Sequence, residues 1–264
     1  MSIELIFPSV GYFKGLLDHL KSTNGSTNSG IFIFTKESIR YQSIGFGDYL
    51  MNDIYLYPET LVYEYSSEED EVYVSVNIID FRTILSGYNK KNQLKIEKNE
   101  DDQYITIMPL NENSLPVGHE SRLKIINTDL DVHDLPEYNK TPNFLIDTNV
   151  LSKNLSSICV GSKNPVINVY CNKNGILFEA RHNSDTNISR YTIGKTPSIE
   201  DSEAYSIRHD IIKSLGKLGG VNKEKMTRIY YKPGNPLRLF VPIGNDNGEL
   251  NICINMDNQE DNDQ

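Results

Sequence analysis

NTDLDVHDLPEYN, Asn127 to Asn139, stands near the middle of the chain, and the segments on either side of it follow one plan. Within it Leu130, Val132 and Leu135 alternate with Asp129, Asp131, His133 and Asp134, and Pro136, which has no amide hydrogen to donate, stops any regular element. The stretch is expected to run extended across a surface as a connector. Taken alone it reads as a solvated linker; the duplication around it gives it a second meaning.

Toward the N-terminus, Ile3 to Phe7 reads as a strand, and Pro8 with Ser9 opens a helix to about Lys21 that carries Val10, Phe13, Leu17 and Leu20 on one side. A hairpin follows, Gly30 to Thr35 and Ile39 to Ile44, then strand candidates at Asp53 to Tyr57 and Leu61 to Tyr65. VYVSVN leads into a second helix, Ile78 to Tyr88, and a second hairpin spans Gln93 to Glu97 and Gln103 to Met108. Arg122 to Ile126 is a last strand before the connector. Beyond it the plan restarts: strand Asn143 to Ile146, helix Thr148 to Ile158, hairpin Val166 to Tyr170 and Ile176 to Ala180, helix Ile207 to Leu218, hairpin Thr227 to Tyr231 and Pro236 to Ile243. The order recurs at a period of roughly 130 to 140 residues. Helices this short cannot enclose a core, so the expected class is α+β: two similar sheet-dominated domains, each with two short helices side by side on one sheet face. The domains are expected at residues 1–126 and 142–256, joined by a connector at 127–141 and followed by an acidic tail at 257–264.

The 264 residues suffice for two such cores. No run approaches the ~20 apolar residues of a membrane span, and the N-terminal segment alternates too early for a signal peptide, so an intracellular protein with no membrane partner is expected. Cys159, Cys171 and Cys253 are odd in number and form no CxxC pair, which favours reduced thiols. A net charge of -10 argues against a protein that coats nucleic acid with its whole surface. The charge is nevertheless segregated. No Lys or Arg lies between Tyr41 and Phe81, whereas Arg208, Lys213, Lys217, Lys223, Lys225, Arg228 and Lys232 crowd one later stretch.

Enzymatic signatures are weak. Gly194-Lys195-Thr196 imitates the end of a P-loop, but Ser189 stands where the earlier glycine belongs. The five histidines have no metal-ligand spacing, and no nucleophile elbow is present. Glu68 to Glu71 reads as a solvated turn, with a metal-dependent hydrolase built on it as the outlying alternative. No catalytic residue, metal or cofactor is assigned. The helices say more: Lys153, Lys213 and Lys217 project away from the apolar stripes, and Lys14 and Lys21 flank one. A single such lysine is an ordinary solvated residue, but recurrence in both halves points to a sequence-independent track for phosphates.

DLDVHDLPEY, Asp129 to Tyr138, resembles the interdomain connector of the proliferating cell nuclear antigen (PCNA) family of DNA sliding clamps, in which an acidic stretch precedes a proline. FKGLLDHLK, SIRYQSI, VNIIDFRTIL, NGILFEA, NPLRLFVPI and GELNICI resemble further stretches of that family. The resemblance implies a homo-oligomer, a trimeric ring around double-stranded DNA that tethers DNA polymerase and other proteins carrying short clamp-binding motifs and is served by a clamp loader. By position it implies DNA contacts from Lys14, Lys21, Arg82, Lys90, Lys153, Arg208, Lys213 and Lys217. A partner pocket is implied at Ile44, Leu130, Val132, Leu135, Pro136 and Pro236, with Cys253 to Asn255 along its edge. Subunit edges are expected at Arg122, Leu123, Lys124 and Ile125 and at Ile176, Leu177, Phe178 and Arg181. The chain departs from the family pattern at Cys253, where an aromatic residue is common, and at Thr83 and Ser86, where lysines are common, so the first half is expected to grip DNA less. Arg208 falls near the apolar stripe and is a candidate to precede its helix. The Asn/Ile/Lys-rich composition points to a viral or otherwise divergent member, acting in a nucleus or at a viral replication site. The alternative is a clamp-fold scaffold in transcription or repair, working as a monomer or dimer without encircling DNA.

Overall fold

A computed structural model describes residues 2–23, 29–47, 49–99, 102–127, 131–138, 140–160, 166–181, 187–222 and 225–258. The N-terminal half runs β1 (Ser2–Phe7), α1 (Val10–Thr23), β2 (Ser29–Phe34), β3 (Ile39–Gly45), β4 (Leu50–Leu56), β5 (Val62–Ser66), β6 (Val72–Asn77), α2 (Ile78–Ser86), β7 (Gln93–Asn99), β8 (Tyr104–Leu110) and β9 (Ser121–Lys124). The C-terminal half runs β10 (Phe144–Asp147), α3 (Thr148–Ile158), β11 (Val166–Asn172), β12 (Gly175–Arg181), β13 (Ile188–Gly194), β14 (Glu203–Arg208), α4 (His209–Leu215), a 3-10 turn at Leu218–Gly220, β15 (Met226–Tyr230), β16 (Leu237–Ile243), β17 (Gly248–Ile254) and β18 (Asp257–Asn258).

Local chemistry sets the helix starts. The Asn77 side chain accepts the amide hydrogens of Ile79 and Asp80 and opens α2, and Asp147 accepts that of Val150 and opens α3. The last helix is shorter than its hydrophobic pattern indicates. Arg208 is its N-cap residue, and Gly216 ends it.

All pairings among the described strands are antiparallel, in three sheets with orders β5-β1-β7-β8-β9, β10-β15-β16-β17-β4-β3-β2-β6 and β13-β12-β11-β14-β18. Sequence patterning leads one to expect one sheet per half; instead each half contributes to two sheets, and the eight-stranded sheet is shared. The sharing occurs at one seam, where β4 pairs with β17 from Leu50↔Ile254 to Leu56↔Gly248.

Cross-strand rows make the duplication explicit. Ser75, Ile31, Gln42 and Asp53 lie opposite one another across β6, β2, β3 and β4. Ser206, Asn168, Glu179 and Arg190 do the same across β14, β11, β12 and β13, and each row starts two residues before a helix N-cap. Likewise Leu5, Ile96, Ile107 and Ser121 cross β1, β7, β8 and β9, while Phe144, Ile229, Leu239 and Ile252 cross β10, β15, β16 and β17. Asp53 thus corresponds to Arg190, and Ile252 to Ser121.

The helices lie side by side in the order α2, α1, α4, α3, with α1 also touching the 3-10 turn. Gly15 makes that contact possible: a Cβ there would stand 2.2 Å from the Gly220 carbonyl oxygen. On the sheet beneath, His19 of α1 is fully buried and meets Asn52 Oδ1 at 3.2 Å through Nε2, while Asn52 Nδ2 donates to Thr23 Oγ1 at 2.9 Å. These bonds lock α1 onto β4. Rings of Phe7, Phe13 and Phe81 join α1, α2 and β1 in the core, with centroids 5.3 and 5.4 Å apart.

Two predictions follow from this interior. Gly15→Ala should destabilise the protein by about 1–3 kcal/mol, read as a lowered denaturation midpoint, because the helix layer must part to admit the methyl group. Burial lowers the His19 pKa from 6.5 to about 4, against the opposing hydrogen bond to Asn52 Oδ1. Between those values the unfolded chain binds the extra proton, so stability falls as pH drops from about 6.5 to about 4, by about 3 kcal/mol in full. Urea titrations across this range should show that loss, and His19→Gln should flatten it.

Candidate functional site

Neighbouring residues on a strand point to opposite faces, and the β4 pair Asn52 and Asp53 divides the shared sheet accordingly. Asn52 meets the helices. Asp53 lies on the outer face, fully buried, and takes a two-pronged bond from Arg40 of β3 at 2.7 and 2.9 Å. Burial raises its carboxyl above the usual range, and the Arg40 guanidinium opposes that shift.

This outer face holds the connector. Arg40 Nη2 and Gln42 Nε2 donate to the His133 carbonyl oxygen at 2.7 and 2.8 Å, and the His133 amide donates back to Gln42 Oε1 at 2.7 Å. Gln42 therefore pairs with both backbone groups of one connector residue as a neighbouring strand would. Across the seam, Arg238 Nε and Nη2 donate to Asn251 Oδ1 at 3.0 and 2.6 Å, and the guanidinium lies over the rings of Tyr138 and Tyr230, 5.5 and 5.4 Å from their centroids. The Tyr138 hydroxyl donates to the Pro236 carbonyl. The connector is thus fastened at both ends, once to each half.

Between the fastenings lies an apolar strip. Ile44, Met51, Cys253 and Arg238 form one cross-strand row, with Ile44 and Met51 half-buried and Cys253 buried. Leu135, Pro136 and Pro236 are half-buried, Val132 and Asn255 are exposed, and the Asn255 amide donates to the Tyr49 carbonyl. Leu130 lies outside the described residues. Arg40, Gln42, Met51, Tyr138, Arg238 and Asn251 were not among the sequence-derived site residues. For Arg40, Gln42, Arg238 and Asn251 the signal was a polar position alternating with core residues in β3, β16 and β17, which sequence reading assigns to solvent.

The opposite face carries the cations. Lys21, Lys90, Lys153, Lys213 and Lys217 are exposed, with Lys90 beside the start of α1, where its carbonyl accepts from Gly11 and Ser9. Lys14 and Arg82 are both paired with Asp18. Arg208 precedes α4, the alternative its place near the apolar stripe offered, pairs with Asp210 at 2.6 Å and lies over the Phe46 ring. Thr83 and Ser86 bond back to carbonyls of their own helix. Among the described residues Lys153, Lys213 and Lys217 have no ion pair, so positive charge gathers on and beside the C-terminal pair of helices.

The subunit-edge assignment needs one correction. Arg122, Leu123 and Lys124 lie on β9, an outermost strand, and Ile125 follows it, bridged to Val76 of β6. Ile176, Leu177, Phe178 and Arg181 lie on β12, which is paired with β11 on one side and β13 on the other, so its backbone is already satisfied. Among the described residues that sheet ends at β13 on the β12 side and at β18 on the other. The polar, loop-flanked sequence ISRYTIG of β13 hid it from hydrophobic patterning.

Gln42→Ala removes both bonds to His133 together with the Gln42 bond to the buried Asp53 carboxylate. Amide exchange at His133 should speed up about tenfold, measured by hydrogen–deuterium exchange, while exchange along β4 stays unchanged.

No protein-family model matches the sequence, and no curated protein is found similar to it. Solved structures do match. PCNA from Thermococcus kodakaraensis superposes with a TM-score of 0.74 at 16% identity, over 96% of this chain and 99% of that one. Proliferating Cellular Nuclear Antigen from Entamoeba histolytica superposes with a TM-score of 0.76 at 13% identity, over 96% and 98%. This chain has the PCNA-type clamp fold, an α+β architecture of two similar sheet-dominated halves.

Proposed function

We propose that this protein is a non-enzymatic DNA sliding clamp, a ring of identical protomers that encircles duplex DNA and tethers a polymerase and other replication or repair proteins. The observation that carries the reading is the pair of free edges. Within the chain β17 joins β4; their counterparts in the duplication, β9 and β13, each stand at the end of a sheet with no further strand beside them among the described residues. Pairing β9 of one protomer with β13 of the next satisfies both edges and, repeated, closes a ring with the helices on one surface.

Lys21, Lys90, Lys153, Lys213 and Lys217 would then attract phosphates without selecting a base or a register, so the ring holds the duplex and still slides. Lys14 and Arg82, shared with Asp18, contribute less, consistent with a weaker grip from the first half. A ring closed by strand pairing has to be opened at a joint to admit DNA, which is the task of a clamp loader. On the outer face, the strip between connector and seam suits the apolar anchor of a short partner motif: Ile44, Met51, Val132, Leu135, Pro136 and Pro236 supply the floor, and Arg40 and Gln42 hold its rim.

The scaffold reading, a monomer or dimer that does not encircle DNA, is favoured by one observation, the neutralisation of Lys14 and Arg82 by Asp18. Sedimentation separates the two: a ring-sized oligomer supports the clamp, and a monomer without affinity for duplex DNA sinks it. If the ring forms, replacing Lys153, Lys213 and Lys217 with alanine should reduce the slope of log K against log salt by about 3 for each protomer whose helices meet the duplex, leaving the oligomer intact. Ile44→Asp should abolish stimulation of a partner polymerase while both sedimentation and DNA association stay as in the unmodified protein.

A further inference from the structure

We infer that the joint between protomers repeats the register of the β4·β17 seam, setting Glu120 of one protomer against Arg190 of the next and Ser121 against Ser189. The inference rests on the ring reading and goes beyond it to which residues meet.

Two independent paths through the hydrogen-bonded rows lead to it. On one side, the row Ser75–Ile31–Gln42–Asp53 matches Ser206–Asn168–Glu179–Arg190, so Arg190 stands where Asp53 stands and Ser189 where Asn52 stands. On the other side, Leu5–Ile96–Ile107–Ser121 matches Phe144–Ile229–Leu239–Ile252, so Ser121 stands where Ile252 stands and Glu120 where Asn251 stands. The chain exits agree with this match. Ile125 bridges to Val76, one residue before the α2 N-cap, and the pairing Ser206↔Asp257 brings Met256 to the same place beside Ile207, before the α4 N-cap. Both Ile125 and Met256 pack against the core from the rim. In the seam Asn52 faces Ile252 and Asp53 faces Asn251. Carried across, Ser189 faces Ser121 and Arg190 faces Glu120.

Charge selects the same register. Around β9 the exposed ions are Arg122 and Lys124, with Glu120 beside Arg122 at 3.5 Å. At β13 Arg190 is more than half exposed and already shares the buried Glu179 with Arg181, which leaves that edge basic as well. Two basic edges repel unless the one acid meets Arg190. A slip of two residues in one direction sets Arg122 against Arg190, like charges directly opposite, in the other it moves Glu120 off Arg190 to face Ile188, and a slip of one turns Leu123 out of the core face. The projected alignment avoids all three.

Cysteine pairs test the register directly, and the native thiols Cys159, Cys171 and Cys253 are all buried, so they add little background. Ser121→Cys with Ser189→Cys, and Arg122→Cys with Ile188→Cys, cover both kinds of antiparallel position. Under mild oxidation at least one of these variants should give a ladder of covalent oligomers ending at the size of the ring. Arg122→Cys with Arg190→Cys, the slipped pair, should give none. A ladder from the slipped pair alone, or no ladder from either aligned variant when the unmodified protein sediments as an oligomer, would overturn the register and leave the ring standing. An unmodified protein that sediments as a monomer would instead remove the ring reading itself. Glu120→Lys should raise the dissociation constant of the oligomer about tenfold or more at low salt, and an unchanged constant counts against the Glu120–Arg190 contact.

Discussion

The antiparallel seam between β4 and β17 is the interaction on which the rest of the molecule depends. It turns two separately patterned halves into one continuous eight-stranded sheet, so their relative position is fixed by backbone hydrogen bonds and not by a flexible linker. Side-chain packing then follows it on both sides. The helix layer crosses from one half to the other where Gly15 meets Gly220, and the outer face carries a ladder of polar residues from Arg40 to Arg238.

Burying so many polar groups beside a seam is expensive unless each is satisfied. Here Asp53 is matched by Arg40, Arg40 also by the His133 carbonyl, and Asn251 by Arg238 and by Glu249. The connector thus completes the network as well as crossing it. A residue pair that differs by one position, Asn52 and Asp53, sends one side chain to the helices and the next to the connector, so the surfaces proposed for DNA and for partners share a single strand.

Much of this was legible in the sequence. Periodicity located the four α-helices of the described residues and most hairpins, because short-range patterns record local structure directly, whereas the connector reading of Asp129 to Tyr138 needed the duplication around it. What was not legible concerned long-range pairing. Hydrophobic alternation does not say which hairpin joins which, so the shared sheet was missed, and β12 was mistaken for the edge that β13 occupies. The mistake has a physical cause. Ile176, Leu177 and Phe178 read as a strong strand because they are buried between neighbours, whereas an edge strand tends to be short and polar. Charge was also misread: Lys14 and Arg82 lie on the helix layer as expected, but their shared partner Asp18 is distant in sequence from Arg82.

The fastened connector has a mechanical consequence. The seam and the proposed joint are one interaction used twice, yet only the seam has covalent chain strapped across it, tied to Gln42 on one side and Pro236 on the other. A seam that parts is held at high effective concentration and reseals at once, while a joint that parts lets its ends drift. In the proposed ring the strap therefore separates rigid links from latches, and assigns every opening to the latches.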